Sequence, residues 1–324
     1  MEKARLGKSN LQVSALAIGT DLIGSKINIE NSFKLFDFYK DQGGNFIDTA
    51  NFYSSWFPGC HGGESETIIG SWMKARGNRE EIVLSSKLGF DYRGSSGGLS
   101  AAEIERECEK SLRRFQTDRV DLYYAHRDDR ATPIEETMQA FDRLVNSGKV
   151  RAIGASNLSL WRIVEANALS EANGWKVYSA VEQRYTYLRP RHGADFGPQI
   201  FLTQDLKDYA HFHGIALIGY SILLQGAYTR LDREMPAQFA GPDADARLEA
   251  LRTVAAEIGR TPNQVIIAWM RQSMPSILPI IAGSSIEQLA ENIAALEVTL
   301  SSDQMHRLDT AGNPVIKQAW LQPS

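Results

Sequence analysis

The stretch NFIDTANFYSSWFPGCHGGESETIIGSWMK, residues 45–74, holds one complete strand–loop–helix unit. Asn45 to Ile47 is a short apolar run ending on Asp48. Ser65 to Lys74 carries apolar residues three and four apart, the spacing of a helical stripe packed on a core. The same rhythm recurs along the chain. Candidate strands lie at Ala15–Ile18, Asn45–Ile47, Ile82–Ser85, Val120–Tyr124, Ala152–Ile153, Ser179–Val181, Ala216–Ile218 and Ile277–Ile281, with amphipathic segments such as Ala101–Leu112 between them. Strand followed by helix, repeated, requires parallel pairing. Eight such strands predict a closed (β/α)8 barrel of the α/β class, preceded by an N-terminal hairpin. An open doubly wound sheet is the alternative, but Gly19-Thr-Asp-Leu-Ile-Gly24 after the first strand lacks the spacing of a dinucleotide fingerprint.

Local punctuation agrees with this frame. Ser100 is placed to cap a helix whose third residue is Glu103, and Gly148 stops the helix ending in Phe141–Ser147. Two long connections, Arg189–Pro198 and Tyr228–Asp245, follow the sixth and seventh strands. Connections of that length are expected to be lids or binding loops at the C-terminal face of the barrel.

The bulk composition narrows the function classes. The chain has 324 residues, 43% of them hydrophobic, enough for a large core, and α/β barrels reach this size as one domain. Residues 1–324 are therefore expected to form a single domain. With 35 basic and 39 acidic residues, a formal charge of −4 and no long like-charged run, neither nucleic acid nor a membrane surface is the expected partner. The two cysteines, Cys60 and Cys108, match no metal-ligand spacing, so no metal is expected, and they fit a reducing cytoplasm. No apolar leader or membrane-length segment is apparent.

In an (α/β) barrel the polar residues at strand C-termini carry the function. Asp48 closes the second strand, Lys87 the third in Val83-Leu-Ser-Ser-Lys87, and His126 the fourth in Leu122-Tyr-Tyr-Ala-His126; Tyr53 follows Asp48 by five residues. Singly, each has an ordinary structural explanation. Together they suggest an acid assembly. A cation beside a tyrosine lowers its pKa, by roughly 1 to 3 units, and Lys87 can be that cation. A buried ammonium needs a counter-charge, which Asp48 supplies. His126 can donate to a carbonyl oxygen.

Asp48, Tyr53, Lys87 and His126 resemble the catalytic tetrad of the aldo-keto reductase superfamily, in particular the branch that includes potassium-channel β-subunit-like reductases. Arg5-Leu-Gly7 with Leu11-Gln-Val-Ser14 resembles that family's hairpin plug, and Gly154-Ala-Ser-Asn157 its signature after strand five. The resemblance implies an NADP(H)-dependent reductase of an aldehyde or ketone, sugar-like or cyclic compounds included, with NADPH or NADP+ as cofactor and NADH left open. It implies cofactor contacts from Gly19, Thr20, Ser156, Asn157, Gln183 (carboxamide), Tyr220 (nicotinamide stacking), Ser221, Leu223, Gly226 and Arg230, and from Ala282, Gly283, Ser284, Gln288, Glu291 and Asn292 (adenosine). The sequence departs from the pattern where Ile280-Ile-Ala-Gly-Ser-Ser285 lacks the usual cation for a 2′-phosphate, and where Ile222 replaces a proline. The aromatic-rich loop Trp56–Gly63 is read as substrate-facing: Trp56 and Phe57, joined by Tyr92 and Trp161, are the expected contacts of a small carbonyl substrate. Two rival functions remain at this level, a nicotinamide-binding regulatory subunit and a barrel aldolase using Lys87 as a Schiff base. The sequence does not speak to oligomeric state.

Overall fold

Runs such as Phe46-Ile-Asp48 and Val120–Ala125 are buried on both faces, as strands between a barrel interior and a helical shell must be. The computed structural model describes residues 1–313. The hairpin pairs β1 (Lys3–Arg5) with β2 (Gln12–Ser14) antiparallel. Eight parallel strands follow: β3 (Ala17–Gly19), β4 (Phe46–Asp48), β5 (Val83–Leu88), β6 (Val120–Ala125), β7 (Val150–Ser156), β8 (Ala180–Arg184), β9 (Ala216–Tyr220) and β10 (Ile277–Ile281). They close in sequence order, with β10 beside β3. The helices are α1 (Ile29–Asp41), α2 (Glu64–Arg76), α3 (Ala101–Phe115), α4 (Ile134–Asn146), α5 (Leu160–Asn173), α6 (Gln204–His213), α7 (Pro242–Glu257), α8 (Pro262–Gln272), α9 (Ile286–Ile293) and α10 (Ser302–Thr310). The expected barrel and its hairpin are therefore present.

Two cores hold it. One lies between strands and helices, with Phe36, Trp72, Phe115, Phe141 and Met270 fully or almost fully buried. The other fills the lower barrel, where Leu6, Leu11 and Val13 of the hairpin region meet Phe46, Val83, Leu122, Tyr124 and Ile218. Each large apolar side chain so buried contributes about 1.5–3 kcal/mol. Gly7 is what lets the plug seat: its φ is +51°, and a Cβ there would lie 2.2 Å from the Ser179 carbonyl oxygen.

Ser100 caps α3 as expected, accepting from the Glu103 amide. Most strand limits differ by a few residues from the sequence expectation, and two of the differences have a local cause. β7 runs Val150–Ser156, longer than Ala152–Ile153, because exposed Arg151 interrupts the apolar run and Gly154 is a required gap beside the Tyr124 ring. The stretch Tyr228–Asp245 is not all loop: α7 begins at Pro242, since proline fits the first helical turn where no amide is needed. The two long connections join each other above the barrel. The Arg191 amide donates to the Gln238 carbonyl at 2.8 Å, and the rings of Phe196 and Phe239 lie 5.7 Å apart. No helix among the described residues is long and apolar enough to cross a membrane.

Candidate active site

Parallel register sets Asp48 of β4 against Ser85 of β5, two residues before Lys87. The Ser85 hydroxyl donates to Asp48 Oδ1 at 2.7 Å, and Lys87 Nζ donates to Asp48 Oδ2 at 2.5 Å. Lys87 also donates to the Thr49 carbonyl and to Tyr53 Oη, each at 3.1 Å. An ammonium has three protons, and here three acceptors take them. Because Tyr53 Oη accepts from Lys87, the phenol hydrogen remains free to be donated elsewhere. Lys87 is 0% and Asp48 2% exposed, so the pair stands on mutual neutralisation and hydrogen bonds rather than on water.

The strand end is braced from below. Thr20 donates to the Asp48 carbonyl at 2.8 Å, and Ser65 at the start of α2 bonds both Thr20 and Thr49. The turn that brings Tyr53 back over Lys87 passes through Ser54, held at φ +74° by its hydroxyl on the Ile23 carbonyl. Positive φ at a non-glycine residue costs energy, and six described residues show it. Gln116 ends α3; the other five, Ser54, Asn157, Ser221, Leu224 and Gln225, all lie in loops at the C-terminal mouth.

The electrostatics correct one sequence expectation. Lys87 does pull the Tyr53 pKa down, but burial acts more strongly in the other direction, and Tyr53 ends well above its ordinary value. Burial also works against the charge on Lys87, yet the facing carboxylates, Asp48 foremost, outweigh it and the ammonium is held above its ordinary range. His126 is driven far down by burial and by the Lys87 charge, so its imidazole is neutral. Its ring sits 6.0 Å from that of Tyr53, and its Nδ1 finds no hydrogen-bond partner among the described residues.

Sequence reasoning missed Glu182. It projects from β8 into the barrel, 2% exposed, with Oε1 3.4 Å from Lys87 Nζ. The available signal was a glutamate ending the run Ser179–Val181, directly before Gln183.

The aromatic rim is partly as expected. Trp56 is 49% exposed with its ring 6.0 Å from Tyr53, and Phe57 stands behind it, 5.8 Å from Trp56 and beneath Lys26. Phe52 and Phe90, which the sequence did not single out, complete the wall: they stack at 4.7 Å, and both meet the His126 ring edge-on at about 5 Å, 5.1 and 4.9 Å respectively. Tyr92 is not brought to Tyr53. Its hydroxyl donates to Glu107 and accepts from Arg114, and a Cβ on Gly62 would strike its ring, so it anchors the Trp56–Gly63 loop to α3. Trp161, 53% exposed, lies between Arg130 and Arg162 at the start of α5, and no aromatic pair joins it to the rim among the described residues.

The residues expected to hold a cofactor fall into two groups. In the first, Asn157 is a hub. Its amide N–H donates to Gln183 Oε1, its Nδ2 to the His126 carbonyl and to Ser156 Oγ, and its Oδ1 accepts from Tyr220 Oη at 2.7 Å. Gln183 also donates to the Leu158 carbonyl, so its amide orientation is fixed by the backbone after β7. From Tyr220 the chain enters a segment with left-handed backbone at Ser221 and at Leu224, Gln225 and Gly226. Arg230 beyond it is exposed and clasped by Asp232 through both Nε and Nη2, so an anion there competes with a carboxylate. The second group follows β10. Ser284 donates to Gln288 Oε1 from both its amide and hydroxyl, Asn292 donates to the Ala282 carbonyl, and Glu291 accepts from Thr261. Gly283 packs where a Cβ would come 3.1 Å from the Leu289 amide, and Gly19 where one would meet Ile280 at 2.8 Å. Both groups lie at or after the C-terminal ends of barrel strands, β7 to β9 for the first and β10 for the second.

Residues 15–313 match the family model described as the Aldo/keto reductase family, and the chain belongs to that family. Norsolorinic acid reductase A of Aspergillus parasiticus is 30% identical, aligned over 94% of this chain and 79% of that protein. An uncharacterized oxidoreductase of Bacillus subtilis is 32% identical over 95% of each chain. An aryl-alcohol dehydrogenase [NADP(+)] of Phanerodontia chrysosporium is 30% identical over 92% of this chain and 82% of its own. The chain is thus an oxidoreductase of the carbonyl–alcohol class, uses a nicotinamide cofactor and acts on small carbonyl compounds.

Proposed function

We propose that this aldo-keto reductase uses NADPH to reduce aryl aldehydes or aryl ketones to alcohols, with Tyr53 as the proton donor. The observation that carries this reading is the saturated Lys87 ammonium, which leaves the Tyr53 hydrogen as the one proton of the assembly aimed away from it. Bound nicotinamide supplies the hydride. Tyr220, Ser156, Asn157 and Gln183 hold its ring end, the Ser221–Gly226 segment its pyrophosphate, and Ser284, Gln288 and Asn292 its adenosine end. Neutral His126 donates to the carbonyl oxygen and fixes it within reach of Tyr53. Asp48 keeps Lys87 charged and in place. Tyr53 keeps its proton throughout the neutral range, so it enters reduction in its acid form.

Two facts support an aryl substrate: the wall of Phe52, Trp56 and Phe90 around Tyr53, and the name of the Phanerodontia chrysosporium relative. That name also favours NADPH, despite the missing cation between Ala282 and Ser285. A Schiff-base aldolase needs a neutral amine, whereas the Lys87 amine is charged, engaged and held so by Asp48, and the family is one of oxidoreductases.

The test is nicotinamide absorbance across a panel of aryl, aliphatic and sugar carbonyls with NADPH and NADH in parallel. Aryl carbonyls with NADPH are expected to give the highest kcat/KM. Equal kcat/KM for aryl and aliphatic compounds would refute the substrate class, and no turnover of either cofactor the activity.

A further inference from the structure

The site leaves a chemical difficulty. Tyr53 is expected to be the proton donor, yet burial holds its proton more tightly than a free phenol does, and Lys87 is held charged more tightly still. Some other group must make the loss of that proton easy. The only further acid within hydrogen-bonding reach of Lys87, among the described residues, is Glu182.

We propose that Glu182 is the proton reservoir of the acid assembly, entering turnover as a carboxylic acid and resupplying Tyr53 through Lys87. The geometry comes first. Glu182 Oε1 is 3.4 Å from Lys87 Nζ, across the barrel from Asp48, and Oε2 is buried with no hydrogen-bond partner among the described residues. Asp48 already has both oxygens filled, one by Ser85 and one by Lys87. A second carboxylate beside one ammonium would leave the buried cluster with an uncompensated negative charge, which is costly in a low-dielectric interior. Protonation removes it. In keeping with this, burial first and the Asp48 carboxylate second push Glu182 up to about 8. The groups facing it are Asp48 from β4, Lys87 from β5, the phenols of Tyr124 on β6 and Tyr220 on β9, and Tyr53 in the loop after β4, while Asp21 after β3 acts on the same Lys87 and Asp48. Of these, only Lys87 is cationic.

The protons balance as follows. The substrate alkoxide takes the Tyr53 proton, the phenolate takes one from the Lys87 ammonium, and the Lys87 amine takes one from the Glu182 carboxylic acid. Tyr53 and Lys87 are restored, the product is a neutral alcohol, and Glu182 is left as a carboxylate that solvent reprotonates before the next turnover. Glu182 acts through Lys87, which its carboxyl faces at 3.4 Å; it is a positioning residue that also carries a proton.

The inference rests on Tyr53 as donor, and its test separates the two. Glu182→Gln keeps the shape of the protonated acid but has no proton to give. The wild-type kcat for reduction is expected to fall as pH rises through about 8, where Glu182 loses its proton. In Glu182→Gln that alkaline limb disappears and kcat at neutral pH drops roughly tenfold or more, as for loss of an acid group. Infrared spectra of the resting protein are expected to show a protonated-carboxyl band at neutral pH that titrates near 8 and is missing in the variant. If the variant keeps the wild-type limb and rate, or if the wild-type band is absent at neutral pH, the proposal is overturned. The wild-type infrared titration decides it even if the variant does not fold. Tyr53→Phe with undiminished turnover would instead remove the donor assignment itself.

Discussion

The two ends of the barrel are built from the same eight strands and obey opposite rules. At the N-terminal end Leu6, Leu11 and Val13 seal the interior against Phe46, Val83 and Leu122, and the left-handed position that lets the plug seat, Gly7, is a glycine. At the C-terminal end the same strands carry Asp48, Lys87 and Glu182 into the interior, and left-handed backbone is imposed on Ser54, Asn157, Ser221, Leu224 and Gln225. One end lowers the free energy of the fold; the other spends part of it on buried charge and strained loops. Strain and desolvation are tolerated where they hold reactive groups in place.

If that contrast is right, substitutions at the top affect stability and activity together, and those at the bottom affect stability alone. The largest expected effect is that of Lys87→Met, which leaves the buried Asp48 carboxylate without its cation. It is predicted to cost about 3–5 kcal/mol in denaturant unfolding and to abolish measurable reduction. Retained activity would break the comparison at its strongest point. Gly7→Ala comes next, forcing a side chain into the Ser179 carbonyl at positive φ; a loss of roughly 1–3 kcal/mol is expected with kcat per folded molecule unchanged. A matching fall in kcat would show that the two ends are coupled.

Smaller effects sharpen the picture of the mouth. Trp56→Ala is expected to raise KM for aryl carbonyls by about five- to thirtyfold, the value of roughly 1–2 kcal/mol of aromatic contact, and to change a small aliphatic aldehyde less. Phe57→Ala, behind it, is expected to do less; the reverse order would put Phe57 at the substrate. Smallest is Arg230→Ala. Since Asp232 already occupies the guanidinium, only a few-fold weakening of NADPH is expected in a fluorescence titration, with less effect on NADH. Equal weakening of both would assign Arg230 to the shared pyrophosphate or to neither.

The barrel was legible because each strand is a short apolar run ended by a polar residue, and burial on both faces leaves few ways to place such runs. The candidate residues Asp48, Lys87 and His126 stood out for the same reason: they are the points where those runs stop. What the sequence hid were relations across the barrel. Glu182 is distant in sequence from Lys87 and meets it only when the sheet closes, and Phe52 and Phe90 become neighbours only through the β4 and β5 loops. Tyr92 was misplaced at the substrate because an aromatic in a loop does not reveal its partner, here Glu107 and Arg114 one helix away. The balance between burial and Lys87 at Tyr53 is likewise unreadable without depth. Arg230 read as a free cation because Asp232, two residues on, gives no sign of which way either side chain turns.

The central claim is that Tyr53 supplies the proton. The direct measurement is the turnover of Tyr53→Phe on the best carbonyl substrate, alongside its NADPH dissociation constant. The variant removes one hydroxyl that Lys87 donates to and little else. The account predicts a fall of about 10²- to 10⁴-fold in kcat with cofactor affinity nearly unchanged. Wild-type turnover in the variant would contradict it.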